Sequence, residues 1–208
     1  MRGEAYAGGV RRGIPVLPSQ AASDHEILGS DILAVISALP LADLVLGTEL
    51  AARLRGVKPD GWYPASLFLE ALQRVSLKVG RFGLLQLGRQ IFTTSHAGNF
   101  KKVSHNAADA LYGINTMYRR ANRGGAIGGW EMIAFRPGYA EMIKTTPPDC
   151  LMVEGILSEA LRTLEIPTTL EQRECRHRGA AHCRFIFTSP VTGDLWMGGR
   201  QPFPPGGG

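Results

Sequence analysis

No run among the 208 residues approaches the roughly 20 consecutive apolar positions of a membrane-spanning helix, so no span is expected. The opening MRGEAYAGGVRRGIPVLPSQ lacks the unbroken apolar stretch of a secretory signal. Cysteine is scarce and odd in number, three in all, which argues against a disulfide framework and for a reducing, cytoplasmic setting. A cationic stripe interleaved with aromatics is also missing. The 23 Lys and Arg exceed the 18 acids, for a net charge of +5, but they are scattered, with Arg11-Arg12, Arg53, Arg55, Lys101-Lys102 and Arg119-Arg120 in separate segments. That scatter reads as solvated faces and argues against direct nucleic-acid binding. Catalytic signatures are absent as well: there is no Gly-x-Ser-x-Gly, no His-Glu-x-x-His and no phosphate-binding loop. The run Gly124-Gly125-Ala126-Ile127-Gly128-Gly129 leads into a strand-like segment, not a helix N-terminus, which is the wrong context for a phosphate. The chain points away from an enzyme.

What is present is 44% hydrophobic residues, enough for one sizeable core, and one domain over residues 23–188 is expected. Residues 1–22 are aperiodic and read as a disordered arm, and residues 189–208, ending QPFPPGGG, as a tail or linker. Between them, helical spacing of apolar residues dominates as far as Arg123. Leu41 to Arg55 offers Leu44, Leu50, Ala51 and Leu54 as an inner face. Pro64 opens a stronger helix with Leu67, Phe68, Ala71, Leu72, Val75 and Val79 as its buried stripe, closed by Gly80. Phe82 to Phe92 follows, where Gly83 and Gly88 permit close backbone approach, and Asn99 to Asn122 reads as one long helix with Val103 on its apolar stripe. The period then changes. Trp130 to Phe135 and Tyr139 to Thr145 read as strands around the turn Arg136-Pro137-Gly138. A helix runs from Cys150 to near Glu165, and Thr168 to His177 with His182 to Thr188 forms a hairpin. Helices followed by ββαββ predict an α+β fold, with N-terminal helices packed on a four-stranded antiparallel sheet.

All three cysteines lie in this last part. Cys150 opens a helix, while Cys175 and Cys183 sit in β-like segments on either side of Arg178-Gly179-Ala180-Ala181. A helix start and a hairpin can thus bring three thiols to one spot. Zinc takes four ligands in a tetrahedron, commonly thiolates with a histidine or carboxylate. The alternative is that these are buried free thiols packed as small apolar groups.

A cysteine, a glycine a few residues on, a short helix, and then E-C-R-x-R-G-x-x-x-C-R-F resembles the C-terminal half of the 4-vinyl reductase domain. The matching residues are Cys150, Gly155, Glu174, Cys175, Arg176, Gly179, Cys183 and Phe185. That family is allied to the sensor domains of aromatic-responsive transcription activators and, more remotely, to the haem-NO-binding and TRAPP subunit folds. The resemblance implies a structural zinc on the three cysteines and a glutamate shortly before the second. Of Glu171, Gln172 and Glu174, the fourth ligand is assigned to Glu174. It also implies a hydrophobic or aromatic small-molecule ligand held by a histidine and a tryptophan, here His105 and Trp130. Tyr112 and Phe135 are expected to face them between the long helix and the sheet, although a core role accounts equally for Trp130 and Phe135. A homodimer through the N-terminal helices and an output partner protein in signal transduction complete the expectation of a sensor domain. The alternatives are a tetrapyrrole-modifying enzyme or accessory and an acyl-chain-binding structural adaptor. His96 and His105 lie where haem-binding relatives carry an axial ligand, but Tyr118-Arg119-Arg120-Ala121-Asn122 does not match their Tyr-x-Ser-x-Arg motif, and no haem is expected.

Overall fold

A computed structural model describes residues 21–202. The expected arm, apart from its last two residues, and residues 203–208 of the expected tail lie outside the described residues.

The chain begins with β1 (Glu26–Leu28), α1 (Gly29–Ser37), α2 (Ala42–Leu46), α3 (Thr48–Arg55) and β2 (Trp62–Pro64). Two longer helical segments follow: α4 (Ala65–Ile91), then a π-turn (Phe92–His96), α5 (Ala97–Val103) and α6 (Ala107–Ala121). β3 (Asn122–Arg123) returns beside β1, giving a small antiparallel sheet in the order β2-β1-β3. This sheet was not expected, because strands of two or three residues are too short to show alternation. A buried bond between His25 Nε2 and Asn122 Oδ1 at 2.9 Å ties the start of the central strand β1 to β3.

The helix expected over Asn99 to Asn122 is two helices. Ser104 takes an extended conformation (φ −128°, ψ 118°) and ends α5. Asn106 then caps α6, its side-chain oxygen accepting the Asp109 N–H at 2.8 Å. Ser-His-Asn inside an apolar period is a cap signal that competes with helix continuation.

The second half is the expected ββαββ. β4 (Trp130–Arg136) and β5 (Tyr139–Lys144) form a hairpin, α7 (Cys150–Thr163) crosses over, and β6 (Thr169–Glu174) and β7 (Cys183–Thr188) form the second hairpin. The antiparallel order is β4-β5-β7-β6, with register breaks between Met132 and Ala134 and between Gln172 and Glu174. The core joins Phe68, Leu72 and Leu87 of α4 with Leu157 and Leu161 of α7 and Phe135, Met142, Phe185 and Phe187 of the sheet.

α4 and α7 meet backbone to backbone. A Cβ placed on Gly88 would lie 1.9 Å from the Met152 carbonyl oxygen, and one on Gly155 would lie 2.1 Å from that of Leu85. No side chain fits between the helices at this crossing. The close approach expected at Gly88 is therefore present, and its partner is the glycine of the cysteine motif.

Three apolar residues expected inside are outside: Leu44 (72% exposed), Val79 (42%) and Val103 (69%). Val79 and Val103 lie where their helices bend or end, and Leu44 lies on the five-residue α2, which Gly47 separates from α3. The tail expectation also needs correction. Residues 194–197 form α8 (Asp194–Met197), and its Trp196 is fully buried. The indole stacks on Phe135 with ring centroids 6.0 Å apart and donates from Nε1 to the Arg136 carbonyl at 2.9 Å. One tryptophan with a partner for its N–H is enough to dock a segment whose composition is otherwise loop-like.

Candidate metal centre

The three thiols converge. Cys150 Sγ lies 3.3 Å from Cys183 Sγ and 3.9 Å from Cys175 Sγ, and all three sulfurs fall within 4.8 Å of one another. Each is positioned by local chain geometry. Asp149 caps α7 by accepting the Leu151 N–H at 2.7 Å, which sets Cys150 at the first helical position. Cys175 directly follows β6, and the turn after it bonds back to its carbonyl from Arg178 N (2.9 Å) and Ala180 N (3.2 Å), with Gly179 left-handed at φ 93°. Cys183 opens β7 and accepts the Arg176 N–H on its sulfur at 3.3 Å.

The trio does not titrate as three ordinary thiols. Contact with the sulfurs of Cys175 and Cys183, together with burial, pushes the Cys150 thiol up. Cys175 and Cys183 are pulled below the ordinary thiol range, chiefly by accepting from Cys150. The His177 backbone N–H assists at Cys175, and the Lys144 charge at Cys183. Three buried sulfurs gathered beside the Lys144 ammonium are a donor set suited to a thiophilic cation.

Lys144 is the residue that sequence reasoning missed. It is fully buried on β5, donates to the carbonyls of Thr146 (2.8 Å) and Pro148 (2.7 Å), and places Nζ 3.9 Å from Cys150 Sγ. The signal was a lysine in an apolar strand just before Thr-Thr-Pro-Pro. That segment has carbonyls with no ladder partner, and a buried cation needs such acceptors.

Glu174, assigned as fourth ligand, is not gathered with the sulfurs. It is 41% exposed and pairs with His182 Nε2 at 3.1 Å and Arg184 Nη1 at 3.6 Å. Glu171 pairs with Arg173 on the surface. Among the described residues no carboxylate or imidazole joins the three sulfurs within metal-sharing distance. His177, on the turn after Cys175, is shifted down by burial and by the nearby Lys144 charge, and it lines an open hollow of about 210 Å³ with Thr146, Pro147 and Arg176.

The four expected ligand-pocket residues separate. Phe135 is fully buried, edge-on to Tyr112 at 5.3 Å, and Tyr112 is covered by the Arg200 guanidinium at 4.5 Å. His105 is exposed. Trp130 instead tilts against Phe185 at 5.7 Å and lines an open cleft of about 420 Å³. The cleft's other walls are Asn115 and Arg119 of α6, the glycine loop, Glu131, Ile143 and Thr145. Its lining mixes polar and apolar side chains. Asn115 Oδ1 accepts the Trp130 N–H at 3.0 Å and holds that corner of the cleft.

No family model matches the chain, and no curated protein matches it. Solved structures do. An H-NOX protein from S. oneidensis in the Fe(II)NO ligation state is 16% identical with a TM-score of 0.62, covering 77% of this chain and 98% of its own. Fe(II) unliganded H-NOX from K. algicida is 14% identical with a TM-score of 0.57, covering 76% and 95%. A third, from work on modulating haem redox potential through protein-induced porphyrin distortion, is 13% identical with a TM-score of 0.61, covering 79% and 93%. The chain shares their α+β fold.

These neighbours overturn the expectation that haem has no place here, because the shared fold is one in which solved proteins carry haem iron. That expectation rested on one short motif, and a backbone layout persists at identities where short motifs do not. His96 is half-buried at the end of the π-turn and His105 is exposed. Phe92 packs edge-on to Phe100 at 5.1 Å, and Phe135 is closed in by Tyr112 and Trp196.

Proposed function

We propose that this chain is a ligand-sensing domain. In this reading a zinc ion on Cys150, Cys175 and Cys183 fastens the start of α7 to the β6–β7 hairpin, and a small molecule enters the cleft beside Trp130. The observation that carries the metal is the meeting of three buried sulfurs, one of them 3.3 Å and 3.9 Å from the other two, drawn from the start of a helix and from a hairpin more than 20 residues further on. Zinc accepts thiolate and needs no redox partner, and with a fourth ligand it is structural. Glu174 and His177 flank the site and are the side chains to test for that fourth place. Lys144 offsets the negative charge that three thiolates bring to one divalent ion.

Sensing is supported by the fold, whose solved neighbours are H-NOX proteins, one of them described with NO on Fe(II). The ligand suited to this cleft has an aromatic or alkyl body for Trp130 and Ile143 and a polar edge for Arg119 and Thr145. Ligand binding acts by favouring one of two arrangements of the helices. A homodimer through the N-terminal helices, with exposed Leu41 and Leu44 as apolar surface, would pass that preference to an output partner protein.

Native mass spectrometry with elemental analysis tests the reading. One zinc per chain is expected, lost in Cys150→Ser, Cys175→Ser and Cys183→Ser. A preparation that takes up no zinc at all overturns the metal reading. A Soret band after addition of haemin, with the cysteine variants unaffected, moves the sensing chemistry to haem.

A further inference from the structure

α4 carries a feature that the sensing site does not use. Gly80 has φ 66° and ψ −164°, values outside the helical region, and the helix bends there. Around this bend, between the buried Val75 and Leu84, three apolar side chains face outward: Leu77 is 65% exposed, Val79 42% and Phe82 71%. The same few residues supply exposed cations at Arg74, Lys78 and Arg81. The wider stretch from 71 to 108 contains Arg74, Lys78, Arg81, Arg89, Lys101 and Lys102 and no Asp or Glu. Glu154 of α7 lies near Arg81 and Arg89, and Glu159 near Arg89, but neither forms an ion pair within 4 Å with them, Glu159 pairing with Arg162 instead.

We infer that the bend of α4 docks onto an anionic lipid surface, inserting Leu77, Val79 and Phe82 while Arg74, Lys78 and Arg81 meet the headgroups. Three apolar residues at a bend form a wedge, not a groove, which suits the acyl–headgroup boundary better than a partner helix. The charge selects between occupants. A second copy meeting this bend about a twofold axis would set the cations against their own equivalents. An anionic membrane attracts them, and its surface potential acts on each basic residue near it. No helix among the described residues is long and apolar enough to cross a membrane, so this contact is peripheral.

The test is flotation of the full chain with vesicles of phosphatidylcholine alone and of phosphatidylcholine with phosphatidylserine. Binding is expected only to the phosphatidylserine vesicles and should weaken as salt is raised. Phe82→Ser should lower the bound fraction by roughly tenfold or more, from the loss of one inserted aromatic. Replacing Arg74 or Lys78 by Gln should cost about fivefold each. All three positions are exposed, so circular dichroism and an unchanged zinc content verify that the variants fold. Light scattering runs alongside. Absence of binding to phosphatidylserine vesicles overturns the inference, as does binding that ignores all three substitutions. A dimer in solution that Phe82→Ser dissociates also overturns it, by assigning the bend to a second copy.

Discussion

Replacing Gly155 by alanine adds one methyl group and should destabilise the protein. The new Cβ would sit 2.1 Å from the Leu85 carbonyl oxygen and 3.0 Å from the Arg89 nitrogen, about 1 Å closer to the oxygen than any tolerable contact. Both neighbours are backbone, so no rotamer change relieves the clash, and α4 and α7 must move apart along their crossing. Overpacking costs about 1–3 kcal/mol, and a clash with two backbone atoms lies at the upper end, about 2–3 kcal/mol. Alanine returns about 0.8–1.0 kcal/mol as the better helix former. The net loss is about 1–2 kcal/mol, a fall in Tm of roughly 2–8 °C for a chain of this size. Gly113 on α6 is the internal control: nothing lies within 4 Å of its Cβ position, so Gly113→Ala collects the helix propensity without the clash and should raise Tm by a few degrees. Thermal unfolding followed by circular dichroism separates the pair. A Gly155→Ala variant as stable as the parent, or more so, refutes the backbone-contact account of the crossing.

Zinc uptake near neutral pH should release between one and two protons per ion, because Cys150 keeps its proton, Cys183, pulled down to about 7, is partly protonated and Cys175 is held lower still. The number should rise as pH falls and the two depressed thiols regain protons, which calorimetry in buffers of different ionisation enthalpy measures. With free zinc at about 100 times its Kd, stability should increase by about 2.7 kcal/mol, seen as a rise in Tm that a chelator reverses. Trp196→Ala should cost about 3–5 kcal/mol, since it empties a stacked, fully buried site and strands the Arg136 carbonyl. A loss below 1 kcal/mol in denaturant melts would return residues 189–202 to the status of a tail. Lys144→Met should cost about 1–3 kcal/mol for each carbonyl left without a donor, Thr146 and Pro148.

Long-range order was legible wherever residue type and period agreed. The ββαββ half and the meeting of Cys150, Cys175 and Cys183 followed from helix and strand spacing alone, because each cysteine sits at the end of an element whose direction the pattern fixes. The fourth ligand was not legible. Glu174 lies past the register break at Gln172, and one extra residue in a strand reverses which side a side chain faces. The pocket failed for a related reason: Tyr112, Phe135 and Trp130 are all aromatic and all near the sheet, but sequence carries no measure of whether such rings fill a space or border it. Trp196 filled it from a segment with no period to read. Val79 and Val103 show the limit of periodicity itself, which predicts a face but not whether anything lies opposite.

The bare crossing of α4 and α7 has a mechanical meaning. With no side chain as cushion between Gly88 and Gly155, neither rod can slide or roll without driving a carbonyl into its neighbour. The two are geared, and the second rod starts at Cys150. Whatever tilts α4 from the outside must therefore turn the helix end that holds one corner of the sulfur triangle.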